Sequence, residues 1–312
     1  MAYQLQTINE SIRSDVKGFL RQCDDAYQKR VEAAADKILE RMDQSPVVLL
    51  SGPSGSGKTT TAMKIEEELE KRGVGAHTIS LDNYFKTLDR ETAPRTPEGD
   101  IDFESPQCLD MELLDETFTK LSRGEEVIVP RFEFTRQMRN DAKGRPLKLE
   151  KNEIAIFEGI HALGPGIAGP HPEATKLYIS ARSNVLEGEK LRFKGTWMRL
   201  TRRAVRDYNF RGTDVSDTLA MWANVRRGEK LHISPYKNTA DVIVDSSLPY
   251  EVSVMKNYAL PILKAVPEEN ARRAELLELI AAFDFFEAID PELVAKDSLI
   301  REFIGGGSYK YK

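Results

Sequence analysis

Apolar residues recur at three- and four-residue steps through the first 44 positions. Val16, Phe19, Leu20, Cys23, Tyr27, Val31, Ile38 and Met42 form one stripe, which predicts an amphipathic helical arm. Such a stripe packs on the rest of the chain or on a partner, with dimerisation its natural special use. At Pro46 the pattern changes. Residues 46–50 are short, wholly apolar and rich in β-branched valine, which predicts a buried strand. Comparable runs lie at 76–81, 126–130, 153–157, 176–180 and 241–244. Between several of them helical spacing returns: 58–71, 106–121 (Ser105 as its cap, Pro106 at its first position), 197–210 and 214–228. Strands alternating with helices predict a parallel sheet covered on both faces, a doubly wound α/β fold.

Residues 131–151 are polar and contain the turn signal Lys143-Gly144-Arg145-Pro146, which predicts a hairpin insert. Beyond Tyr250 the chain reads as helical, with Leu276, Leu277 and Ile280 on one face, before a flexible Gly305–Gly307. The expected organisation is a helical extension over 1–44, an α/β domain over 45–250 and a second helical extension over 251–312. A length of 312 residues suits one large domain or two small ones, and 30% charged with 8% aromatic residues fits a soluble globule. A net charge of −5 argues against general nucleic-acid or membrane affinity and leaves local basic patches open. No apolar run approaches the roughly 20 residues that span a bilayer. The first residues, MAYQLQTINESIRSD, lack the apolar core of a secretion signal. Cys23 and Cys108 make neither a disulfide framework nor a metal-ligand spacing, so the expected compartment is a reducing cytoplasm.

The strongest chemical signal is Gly52-Pro-Ser54-Gly55-Ser56-Gly57-Lys58-Thr59, a G-x-x-x-x-G-K-[ST] phosphate loop lying between an apolar strand and a helix. Glycines let backbone N–H groups approach phosphate oxygens, and the following helix aims its positive end at them. Lys58 offers a cation to the β/γ-phosphates, and the Thr59 hydroxyl is a Mg²⁺ ligand. The spacing thus points to ATP or GTP. Glu158 ends an apolar strand, the place where ligands gather in open α/β sheets, and so is a second candidate for the metal. Asp82 is expected to close the second strand, at its end. It reads either as a loop cap or as the carboxylate that takes the proton of an attacking hydroxyl. Arg199, Arg202, Arg203 and Arg206 fall on one helical face within a segment, 190–211, holding eight basic residues and one acid. That segment reads as a phosphate-gripping lid, a solvated charged face or an RNA-binding helix. Asp100, Asp102 and Glu104 alternate, with only Glu104 expected to point inward. His161 reads as a hydrogen-bonded structural residue, and Trp197 and Trp222 as packing.

Taken in order, SGPSGSGKTT, SLDNYF, DFESP, VPRFEF, IFEGIHAL, RLTRRAVRDYNFRG and SPYKNTADVIV resemble the uridine kinase branch of the uridine kinase–phosphoribulokinase family, from about residue 46 to 244. Together with SLIREFIGG near the end, they also look like the kinase portion of longer bacterial relatives. The resemblance implies a P-loop NTPase fold and transfer of the ATP γ-phosphate to a hydroxyl of a nucleoside-like acceptor. It implies Asp82 as base and Thr59 with Glu158 on Mg²⁺. It places ATP on the loop residues through Thr60, with Arg203, Arg206 and Arg211 forming the lid over about 190–213. Glu104 stands where the family usually has Asp to hold ribose hydroxyls, and Phe85, Phe132 and Ile160 fall where relatives line the nucleoside pocket. Where pyrimidine-nucleoside kinases show Tyr-Asp-Phe and then His, this chain has Phe132-Glu133-Phe134 and Gln137; after the lid, Thr213 replaces an arginine. A glutamine both donates and accepts, so it reads a base edge with different preferences. Kinase chemistry therefore carries over better than uridine specificity. A kinase of another small alcohol, such as a sugar phosphate, and a slow ATP-hydrolysing regulatory protein are the alternatives. The expected partner is a small-molecule acceptor, with no nucleic acid and no membrane.

Overall fold

The structure, a computed structural model, describes residues 2–311. Five apolar segments build one sheet: β1 (Val47–Ser51), β2 (Gly75–Ser80), β3 (Glu153–Glu158), β4 (Thr175–Ser180) and β5 (Val242–Asp245). Their order is β5-β4-β1-β3-β2, and every neighbouring pair is parallel. β1 lies in the middle with all five residues buried, as its unbroken apolar sequence requires. Its side chains alternate between two cores. Val48 and Leu50 face one with Ile65, Leu69 and Val254, while Val47 and Leu49 face the other with Leu114 and Phe118.

The helices that cover the sheet are α1 (Leu5–Arg41), α2 (Lys58–Lys71), α3 (Met111–Ser122), α4 (Gly195–Arg211), α5 (Val215–Gly228), α6 (Glu251–Lys264) and α7 (Arg273–Ala282). The stripe on α1 packs inward: Val31, Ala34, Ala35 and Ile38 are fully buried in the same core as β1 and α6. α1 kinks at Asp15, whose carboxylate accepts from the Gly18 N–H at 2.9 Å and caps the helix that restarts there. The two ends of the chain hold each other. Asn9 donates to the Phe285 carbonyl at 2.8 Å and accepts from the Glu287 N–H at 3.0 Å. Among the described residues no helix is long and apolar enough to cross a membrane.

Several expectations need correction. The run at 126–130 forms a strand, Val127–Val129, but outside the main sheet, pairing antiparallel with Arg145–Leu147. A second short hairpin, Phe132–Glu133 with Met138–Arg139, lies within the insert. The helix expected over 106–121 is broken. Ser105 and Pro106 start only a 3₁₀ turn, and α3 begins afresh where Asp110 accepts from the Leu113 N–H at 3.1 Å. The first residues are not helix but a strand, Ala2–Gln4, parallel to Asn184–Glu187. Lys190–Phe193, expected at the start of the lid, is a strand antiparallel to that same segment. Gly305–Gly307 is ordered. Gly305 and Gly306 take φ of +81° and +69°, and the Gly305 carbonyl accepts from Arg301.

Register then fixes where the chemistry gathers. Leu50 and Ser80 both stand opposite Glu158, so β1, β2 and β3 finish level and their following loops share one edge. Arg202, fully buried on α4, ties this edge to α6 through a bidentate pair with Glu251 and donates to the Ser246 carbonyl at 2.8 Å. Arg202→Ala strands a buried carboxylate, and denaturant unfolding should show a loss of about 3–5 kcal/mol. Replacing both partners with apolar residues of similar volume should cost far less.

Candidate active site

The phosphate loop starts where β1 ends. Gly52 is obligatory there, because a Cβ would sit 2.1 Å from the Ile179 carbonyl oxygen of β4. Gly57 turns the chain into α2 with φ +79° and provides no side-chain cap to the first-turn amides, of which the Thr60 N–H donates to Glu302 at 3.3 Å. The Ser56 hydroxyl is buried in the loop without a hydrogen-bond partner, a feature that asks for a ligand or an ordered water. α4 braces the loop from behind. Arg199 and Arg202 donate to the Ser54 and Gly55 carbonyls at 3.4 and 3.2 Å, and Arg203 donates to the Ser54 hydroxyl at 3.0 Å. Lys58 folds over the loop, 3.5 Å from the Pro53 carbonyl. Burial lowers its pKa, and the charges of Glu158, Asp82 and Glu302 oppose that fall.

Asp82 and Glu158 lie near this ammonium, while Glu104 lies nearer Arg203. Asp82 lies just beyond β2, in the 3₁₀ turn Leu81–Tyr84, and not at the strand end itself. Its side chain touches solvent, yet surrounding protein raises its pKa against the charges of Lys58, Arg211 and Arg206. Glu158, 7% exposed, is pushed up to about 7 by burial, with Lys58 opposing and Asp82 adding to the rise. Glu104 is also pushed up to about 7 by burial, with Arg203 as its main counter-charge. It fits because Gly228 faces it, where a Cβ would stand 2.5 Å from that of Glu104. Thr59, in the first turn of α2, is half-buried. The donors here are hydroxyl and carboxylate oxygens, which suit Mg²⁺. Among the described residues no three His, Cys, Asp or Glu side chains cluster to hold a metal.

The arginines of α4 do not share one function, as a single face had suggested. Arg199 and Arg202 are inside the protein, paired with Glu229 and Glu251. Arg202 therefore has no surface to offer an RNA. Arg203, Arg206 and Arg211 instead converge on Asp207, at 3.3, 2.7 and 3.5 Å. Asp207, 4% exposed along its side chain, was overlooked in the sequence. Its signal was being the one acid in that basic segment.

Phe85, Phe132 and Phe134 form an aromatic cluster with ring centroids 5.1–6.3 Å apart, and Phe134 is largely exposed. Ile160 packs beneath, its carbonyl accepting from the Ser51 hydroxyl at 2.9 Å. Gln137 closes the adjacent hairpin with φ +52°, the one non-glycine residue in that region among those described. Trp197 and Trp222 are buried packing residues. Two expectations fail. Asp102 points inward as well as Glu104, 4% exposed and paired with Arg227 at 2.5 Å. His161 is buried, but neither ring nitrogen has a partner, and burial pushes its pKa down to about 4. It lines a cavity of about 320 Å³ with His232, Lys86 and Tyr236.

The family model described as Phosphoribulokinase / Uridine kinase family matches residues 47–165. A protein named uridine kinase from Schizosaccharomyces pombe is 31% identical over 173 residues, covering 55% of this chain and 34% of that one. One of the same name from Macrococcus caseolyticus is 27% identical over 204 residues, covering 65% and 89%. Among solved structures, a candidate fructose transport system kinase from Silicibacter sp. TM1040 superposes with a TM-score of 0.52 at 22% identity, covering 68% of this chain and 98% of that one. The resemblance drawn from the motifs is borne out, and the fold is that of the P-loop kinases.

Glu104 gives a test of this electrostatic arrangement. Its folded pKa of about 7 lies above the ordinary carboxylate value, so between these values the folded state holds a proton that the unfolded state has lost. Stability of the ligand-free protein should therefore fall as pH rises from about 4.5 to 7 and then level off. Glu104→Gln should remove part of that fall, the rest belonging to Glu158, and raise stability at pH 8 by about 1–3 kcal/mol in denaturant titrations.

Proposed function

We propose, with that family resemblance as premise, that the protein is an ATP-dependent kinase acting on a hydroxyl of a nucleoside-like acceptor. One observation carries the reading: the strands that lead into the phosphate loop, Asp82 and Glu158 end level on one edge, and Arg203 of α4 donates to the loop's Ser54 hydroxyl at 3.0 Å. In this reading the loop amides and the Ser54, Ser56, Thr59 and Thr60 region hold the triphosphate, with Lys58, Arg206 and Arg211 as its cations. Thr59 and Glu158 would hold Mg²⁺, which neutralises phosphate charge when bound. Asp82 accepts the proton of the attacking hydroxyl. Lys58, Arg203 and Arg206 offset the charge that grows on the transferred group. Little covalent chemistry is asked of the protein, since positioning and charge neutralisation carry phosphoryl transfer.

Glu104 is the candidate for vicinal hydroxyls of the acceptor, with Phe85, Phe132 and Ile160 as the apolar wall and Gln137 as the base reader. Phe132 brings no hydroxyl to that wall, and this favours a second reading in which the acceptor is another small alcohol, such as a sugar phosphate. A regulatory ATP-binding protein is the third. ATP consumption measured against nucleosides, sugar phosphates and no acceptor separates them. Acceptor-dependent turnover supports a kinase and its best substrate names the class, whereas turnover indifferent to every hydroxyl compound refutes the kinase reading. Lys58→Ala and Asp82→Asn should each lower turnover by about two orders of magnitude or more. Near-normal turnover in either variant removes its assigned role.

A further inference from the structure

Residues 297–311 run back across the start of α2. Asp297 pairs with Lys64 at 2.9 Å, and Tyr309 donates to Glu67 at 2.8 Å. The Leu299 side chain occupies the space beside Gly57, 2.8 Å from where a Cβ would be. The phenol of Tyr311 stands 3.1 Å from the Thr60 hydroxyl. At the centre is Glu302, 8% exposed. Its carboxylate accepts from the Thr60 hydroxyl at 2.5 Å and from the Thr60 main-chain N–H at 3.3 Å.

Thr60 is the third residue of α2, so its N–H is one of the first-turn amides that make a helix start an anion site. In this protein an internal anion already holds it. The same carboxylate lies close enough to Lys58 to favour that lysine's charge and close enough to Glu158 to oppose its ionisation. A triphosphate entering the loop would bring further negative charge to this amide in a partly desolvated setting, where like charges repel strongly. One N–H cannot serve both anions well.

We propose that Glu302 and the nucleotide phosphates compete for the Thr60 amide, so that nucleotide binding displaces the carboxylate and loosens residues 302–311. The inference rests on the reading of the phosphate loop as a nucleotide site. It makes the C-terminal segment a determinant of nucleotide affinity.

Calorimetric titration of ADP, with and without magnesium, into the full chain and into Glu302→Gln tests it. The glutamine keeps an acceptor oxygen for Thr60 and removes the charge, and ADP should bind the variant about tenfold more tightly. In the unmodified chain, saturating ADP should speed backbone hydrogen exchange over 302–311. Equal or weaker ADP binding by the variant overturns the proposal, and so does exchange over 302–311 that is unchanged or slowed. Binding by the unmodified chain with no gain in the variant sinks this inference alone. ADP binding to neither protein sinks the nucleotide reading with it. Should Glu302→Gln not fold, exchange in the unmodified chain decides by itself.

Discussion

Lys58 is held by burial within the fields of Glu158, Asp82 and Glu302, and keeping this ammonium away from bulk water shapes the rest of the cleft. Burial first, with neighbouring carboxylates adding to it, pushes both Glu104 and Glu158 up to about 7, and burial drives Lys58 the other way. Such an arrangement is poorly balanced by itself. In the proposed reading it would be balanced by a triphosphate bringing negative charge to the lysine and arginines and a hard cation bringing positive charge to the carboxylates. The folded state thus holds in reserve the electrostatic interactions that binding would complete.

The cluster exists because parallel strands end level. With Leu50 and Ser80 both opposite Glu158, the loops after β1, β2 and β3 open on one edge, and side chains from positions 58, 82 and 158 meet there. The arginines of α4 divide the remaining work by depth. Arg199 and Arg202 point in, satisfy loop carbonyls and two glutamates, and make the loop rigid. Arg203, Arg206 and Arg211 stay nearer the surface, where Asp207 holds three like charges together. Support beneath and a cationic rim above is a sensible division for a site that meets charge from one side.

The two ends of the chain belong to this same construction. α1 contributes to the core behind β1, and the C-terminal segment lies against the first turn of α2. A sequence reading treats such stretches as extensions because their stripes say only that something covers them. Here that something is the α/β layer itself.

The apolar period, the glycine spacing of the phosphate loop and the acids following two strands were legible in the sequence, because each depends on neighbours a few residues apart. β1, α2 and the positions of Lys58, Asp82 and Glu158 followed from that local grammar. The split of the α4 arginines, the gathering role of Asp207 and the inward turn of Asp102 were not legible. Two of these depend on a partner far along the chain, Glu251 for Arg202 and Arg227 for Asp102, whereas Asp207 gathers arginines within four residues of itself and needed only its burial to be known. Helical spacing tells which side chains share a face, but only packing tells which side of that face is dry. Burial decides whether an arginine is a strut or a ligand-binding group, and burial is a property of the assembled layers.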